Sequence, residues 1–112
     1  MTSARVALSV LSDETRRQVL ECLRGGPKTV GEIAETLPVS RPAVSQHLAK
    51  LKEARLVSET RQGTRHYFSI DAAAIGELRA YFDQLWSDAL TAFAQHADGG
   101  KMGKKKPRRT AR

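Results

Sequence analysis

The chain has 112 residues, 40% of them hydrophobic, and a formal net charge of +7, so one small domain with a modest core is expected. Its one cysteine, Cys22, excludes a disulfide framework within the chain and fits a reducing compartment. No apolar run reaches the length of a membrane span, and "VALSVL" near the N-terminus is followed by charge rather than a cleavage site; no membrane partner and a cytoplasmic location are expected.

In chain order, "ARVALSVL" (4–11) reads as a short apolar helix. "SDETRRQVLECLRGG" (12–26) reads as a second, capped by Ser12 or Asp13, with Val19, Leu20 and Leu23 as its apolar stripe and Gly25-Gly26-Pro27 as its stop. "TVGEIAETLP" (29–38) opens with Thr29 three residues before Glu32, a capping box, and faces Ile33, Ala34 and Leu37 inward. Ser40 caps a fourth helix, with Pro42 in its first turn and Val44, Leu48 and Leu51 on its apolar side. After Ala54 the period changes. "LVSETRQGTRHYFSI" (56–70) predicts a β-hairpin turning at Gln62-Gly63-Thr64, with His66, Phe68 and Ile70 on one face, marked as buried by Phe68 and Ile70. Asp71 caps a last helix (72–97) whose apolar stripe runs through Ile75, Leu78, Phe82, Leu85, Ala89 and Ala92, widened by Tyr81, Trp86, Leu90 and Phe93. Gly99-Gly100 is expected to end it. The expected domains are therefore 1–98, folded, and 99–112, a disordered basic tail.

The charge is segregated. Residues 101–112 hold seven Lys/Arg and no acid, whereas residues 1–100 hold twelve of each sign. Within that body, residues 41–65 carry a net +4 and residues 66–100 a net −4. A basic middle and a basic tail point to a polyanion partner; the tail suits a flexible phosphate-binding arm.

Helix, short turn, helix, then at once a hairpin is a winged helix-turn-helix: mainly α with a β-hairpin wing and five helices. A helix fits the major groove of duplex DNA and offers its first turns to base edges, where Gln pairs with adenine and Arg with guanine. The candidate DNA-binding residues are Ser40, Arg41, Ser45, Gln46, His47 and Lys50 on the fourth helix, with Arg61, Thr64 and Arg65 on the wing, placed for phosphates or a minor groove. Ser40 serves equally well as a cap, and His47 lies at the margin between the helix faces. No phosphate-cradling glycine loop and no Ser/His/Asp or Cys/His set is present, and His47, His66 and His96 fall on three different elements, so no catalysis and no cofactor are expected.

These residues carry a resemblance. "D-x-T-R-R" in the second helix, "V-G-E-I-A", "S-x-x-x-V-S-x-H-L-x-x-L", "A-R-L-V" and the wing "G-T-R-x-Y-F-x-I" stand in an ordered series over residues 8–97 that resembles the ArsR/SmtB family of bacterial winged-helix repressors, in particular a branch without metal-sensing cysteines. The resemblance implies a bacterial, nucleoid-associated homodimer joined through its first and last helices, bound to an inverted-repeat operator and repressing transcription, often of its own gene. Independently, the stripe on the last helix is too wide for a helix packed on one side and suits a second copy. The expected dimer residues are Leu8, Leu78, Phe82, Leu85, Trp86, Ala89 and Phe93. The paired cysteines of the family's arsenic, cadmium and lead sensors are missing from "TVGEIAETL". At the last-helix metal positions of the zinc, nickel and cobalt branch stand Asp83, Leu85, His96 and Gly99, leaving Asp83 and His96 as a two-ligand remnant, too few for a strong site. Non-specific architectural DNA binding, a metal-responsive repressor using that degenerate site and a protein-binding winged helix stand as alternatives; no inducer is assigned.

Overall fold

In the computed structural model, residues 2–100 are described; the basic run 101–112 lies outside the described residues. The elements follow in the order α1 (Thr2–Val10), α2 (Glu14–Cys22) with a 3₁₀ turn (Leu23–Gly25), α3 (Val30–Thr36), α4 (Arg41–Glu53), the antiparallel strands β1 (Val57–Gln62) and β2 (Arg65–Ile70), and α5 (Ala72–Gly100). The expected five helices and hairpin are all present; α5 runs on through Gly100. The chain divides into two units, one ending at Leu78 and the other beginning at Arg79.

In the first unit local chemistry sets the helix ends. Asp13 caps α2, its Oδ1 accepting from Arg16 N–H at 2.9 Å, which with the nearby guanidinium holds its carboxyl below the usual range. Arg16 and Arg17 then reach back along the chain: Arg16 Nε donates to Val10 O at 2.8 Å and Arg17 Nη1 to Leu11 O at 2.7 Å. Those carbonyls close the C-terminal end of α1, where cations are favoured. The Thr29–Glu32 capping box forms in both directions, at 2.9 and 3.2 Å. Helix α4 ends in a Schellman motif, with Leu56 N–H donating to Leu51 O and Arg55 N–H to Lys52 O, both at 2.9 Å. The left-handed residue that this motif requires is Arg55, at φ 64°, where glycine is usual.

The core of this unit gathers Val19, Leu23, Ile33, Val44, Leu48, Leu51, Leu56, Val57 and Phe68, all buried. Burying each such side chain contributes about 1.5–3 kcal/mol. Between α3 and α4 four residues, Leu37–Ser40, make the turn, and the α4 side bearing Val44, Leu48 and Leu51 is sealed. In the hairpin Gln62 pairs with Arg65, leaving a two-residue loop in which Gly63 alone has positive φ, 64°, as a type II′ turn requires. One contact is not expected from sequence: Lys28 pairs with Phe68 through two backbone hydrogen bonds of 2.8 and 2.9 Å, tying the segment before α3 to β2.

The unit that begins at Arg79 is the remainder of α5. Phe82, Leu85, Trp86 and Phe93 are largely exposed there, Trp86 and Phe93 at 66% and 65%. Tyr81 and Phe82 meet edge to face with centroids 5.6 Å apart.

Candidate nucleic-acid interface

The polar side of α4 is solvent-facing along Arg41, Ser45, Gln46 and Lys50. Ser40 is the N-cap, its Oγ accepting from Ala43 N–H at 3.3 Å, so its lone pairs are partly committed to the helix. Pro42 fills the first turn, where a missing N–H costs nothing. A groove of about 630 Å³ separates this helix start from the wing, lined by Thr29, Gly31, Glu32 and Glu35 of the α3 segment, Arg41 and Ser45 of α4, and Glu59, Thr64, Arg65 and His66 of the hairpin. Four of the nine residues singled out from sequence, Arg41, Ser45, Thr64 and Arg65, thus face one groove. Gln46 and Lys50 lie farther around α4.

The two wing arginines do not act on one surface. Arg61 pairs across the ladder with His66, and Arg65 with Gln62, so the pleat sends them to opposite faces of the hairpin. Hydrogen bonding to the Tyr67 side chain, then the Glu32 carboxylate, pushes the Arg65 guanidinium above its ordinary range, and it stays charged.

The groove's carboxylates are largely engaged. Glu32 accepts from Thr29 N–H. Glu59 is hydrogen-bonded to Lys52 Nζ at 2.8 Å and to His66 Nδ1 at 2.6 Å, and these two contacts, Lys52 first, hold its carboxyl below the usual range. Among the described residues neither Arg41 nor Arg65 forms an ion pair. The groove therefore presents two guanidiniums without an ion-pair partner beside hydroxyls, a donor set suited to phosphate oxygens and base acceptors. His66 lies on the Phe68 face of β2 as parity requires, but near the turn of the hairpin, exposed, where it meets Glu59 instead of the core.

His47 departs from the expected DNA-facing set. It is half-buried, and its Nδ1 is sealed from solvent without a hydrogen-bond partner. It lies on the sealed margin of α4 because it follows Val44 by three residues and precedes Leu51 by four.

Among the expected dimer residues, Phe82, Leu85, Trp86, Ala89 and Phe93 are exposed. Leu78 instead packs half-buried against its own unit's core, and Leu8 is half-buried while Val6 on the same helix is exposed. Asp83 sits 3.9 Å from Arg79, and no group of three or more His, Cys, Asp or Glu among the described residues is arranged to hold a metal ion. Cys22 is half-buried and burial pushes its thiol up, away from the reactive thiolate. No helix of the described residues is long and apolar enough to cross a membrane.

This geometry has known counterparts. The family described as bacterial regulatory protein, arsR family, matches residues 13–59, from the α2 cap into β1. The HTH-type transcriptional regulator Rv2034 of Mycobacterium tuberculosis is 50% identical over 92 residues, covering 82% of this chain and 86% of that one. The chain belongs to the arsR family. This arsR-family chain is also 42% identical over 65 residues to the transcriptional repressor SdpR of Bacillus subtilis, across 58% of its own length and 72% of the relative's. Its fold is that of the homodimeric winged helix-turn-helix DNA-binding domain Mb0332 of Mycobacterium bovis, described as a possible ArsR-family transcriptional regulator, with a TM-score of 0.63, 27% identity and coverage of 80% and 82%.

Proposed function

We propose that the protein is a homodimeric, sequence-specific duplex-DNA-binding transcriptional repressor that acts on an inverted-repeat operator in the cytoplasm. The observation that carries this reading is the groove between α4 and the wing, with unpaired Arg41 and Arg65 on its two sides and the exposed Ser45 and Gln46 face beside it. Arg41, Ser45 and Gln46 meet base edges of a major groove; Ser40 and Lys50 meet the backbone alongside; Thr64 and Arg65 grip phosphates or the neighbouring minor groove, and Arg61 supports them from the other hairpin face. His47, half-buried at the margin of α4, meets a phosphate or a neighbouring side chain and reads no base. The stripe of Phe82, Leu85, Trp86, Ala89 and Phe93 receives the second copy, and a pair of copies offers two recognition helices to half-sites about 34 Å apart.

The SdpR relative is named a repressor and the Mb0332 neighbour a homodimer, which supports both parts of the proposal. The test is selection of duplexes from a random pool, followed by titration of the selected sequence and its scrambled version. Preference for an inverted repeat is expected. Equal affinity for both would replace the reading with non-specific architectural binding. No affinity at low salt would replace it with protein binding.

A further inference from the structure

Gly31 stands in the first turn of α3, where glycine is a poor helix former and its backbone does not use the freedom glycine offers, since the positive-φ glycines are Gly26 and Gly63. What Gly31 supplies is space. A Cβ built on it would lie 2.9 Å from Nη2 and 3.2 Å from Cζ of Arg41, closer than side-chain carbons approach one another. The Arg41 guanidinium thus lies against the bare backbone of α3.

Arg41 is itself a poor local choice. It opens α4, at the positive end of the helix dipole, where a cation is disfavoured. It is exposed and, among the described residues, has no carboxylate partner. Two residues that each work against helix stability are therefore in contact, at the groove that Ser45 and Arg65 also line. Local choices that oppose stability collect at functional positions.

We infer that Gly31 is a positioning residue for DNA recognition: its missing side chain seats the Arg41 guanidinium across the first turn of α3, aimed at the duplex. The inference rests on the proposed DNA-binding function. It adds that the helix preceding the recognition helix sets the direction of the recognition arginine, and that any side chain at position 31 displaces it.

The test is a double-mutant cycle on the full chain, read with the selected duplex and with a panel substituted at one base pair at a time. Arg41→Ala is expected to weaken binding about tenfold, in the range of one lost arginine contact. Gly31→Ala is expected to weaken it about three- to tenfold while keeping or raising the thermal midpoint. In the Arg41→Ala background Gly31→Ala should change affinity by less than about twofold, because the group it positions is gone. If the loss in both single variants concentrates at one base pair, Arg41 meets a base edge; if it is uniform across the panel, Arg41 meets phosphate. Wild-type affinity in Gly31→Ala, a lowered midpoint that accounts for its loss, or losses that multiply in the double variant would each overturn the inference. A wild-type chain that binds no duplex would overturn the functional reading and this inference together.

Discussion

Glu59 on β1 and His66 on β2 meet at 2.6 Å, and the second oxygen of the same carboxylate holds Lys52 of α4 at 2.8 Å. The carboxylate is a clasp between the end of the recognition helix and both strands of the wing. Its pKa is lowered, with Lys52 the first cause and His66 the second. A carboxyl whose folded value lies below the unfolded one contributes stability that is fully present above the ordinary glutamate range, about pH 4.3, and is lost as pH falls through the lowered value. For a partly exposed pair the contribution is below about 1 kcal/mol. Urea midpoints measured from neutral pH downward should therefore fall less steeply in Glu59→Gln than in the wild type. Parallel profiles would show that the clasp contributes nothing.

Arg55 adopts φ 64° at the position following the α4 cap. A side chain there is strained, and Arg55→Gly relieves the strain at some cost in unfolded-state entropy. The expected net gain is about 0.5–1 kcal/mol, read as a higher urea midpoint with an unchanged slope. A loss of stability would mean that the arginine side chain makes a contact worth more than the strain.

Ser40 tests capping against recognition. Ser40→Asp keeps an oxygen for Ala43 N–H and adds a negative charge that suits a helix N-terminus. Its stability should stay within about 0.5 kcal/mol of wild type or rise, while affinity for duplex falls through phosphate repulsion. Unchanged affinity in calorimetric or anisotropy titration would remove Ser40 from the interface.

The exposed stripe on α5 calls for a direct measurement of assembly. Each large apolar side chain buried there contributes about 1.5–3 kcal/mol, and a twofold interface counts every substitution twice. Leu85→Glu with Trp86→Glu should convert a dimer to a monomer in sedimentation velocity at micromolar concentration. A wild type that sediments as a monomer would remove the dimer from the proposed function.

Deleting residues 101–112 should lower affinity for selected and random duplex by similar factors and reduce the salt dependence, if that basic run acts as a phosphate-binding arm. A loss confined to the selected sequence would instead assign it to sequence readout.

Much of the fold was legible because its signals are local. The Thr29–Glu32 capping box, the Ser40 cap, the Gly63 turn and the 3.6-residue spacing of Val44, Leu48 and Leu51 each depend on neighbours within one or two turns. What escaped depends on contacts distant in sequence. The Lys28–Phe68 pairing joins a short linker to a strand forty residues on, with no periodicity to announce it. The seat of Arg41 over Gly31 requires two helices to be placed first. His47 stands at the edge of a helix face, which spacing alone assigns to neither side; only the packed structure shows it half-buried with Nδ1 sealed. The reach of Arg16 and Arg17 to α1 had a trace in the "D-x-T-R-R" run, read only as a family feature.

The hairpin has one flank covered and one bare: β2 is joined by Lys28, whereas β1 has β2 as its strand neighbour and nothing paired beyond it among the described residues. A bare strand edge invites a stranger to add itself, yet β1 is six residues long and carries Glu59 and Arg61, features that discourage sheet extension into aggregates. Strand addition at this edge is thereby discouraged, which leaves the side chains of α5 as the surface on which the proposed second copy would have to meet this chain.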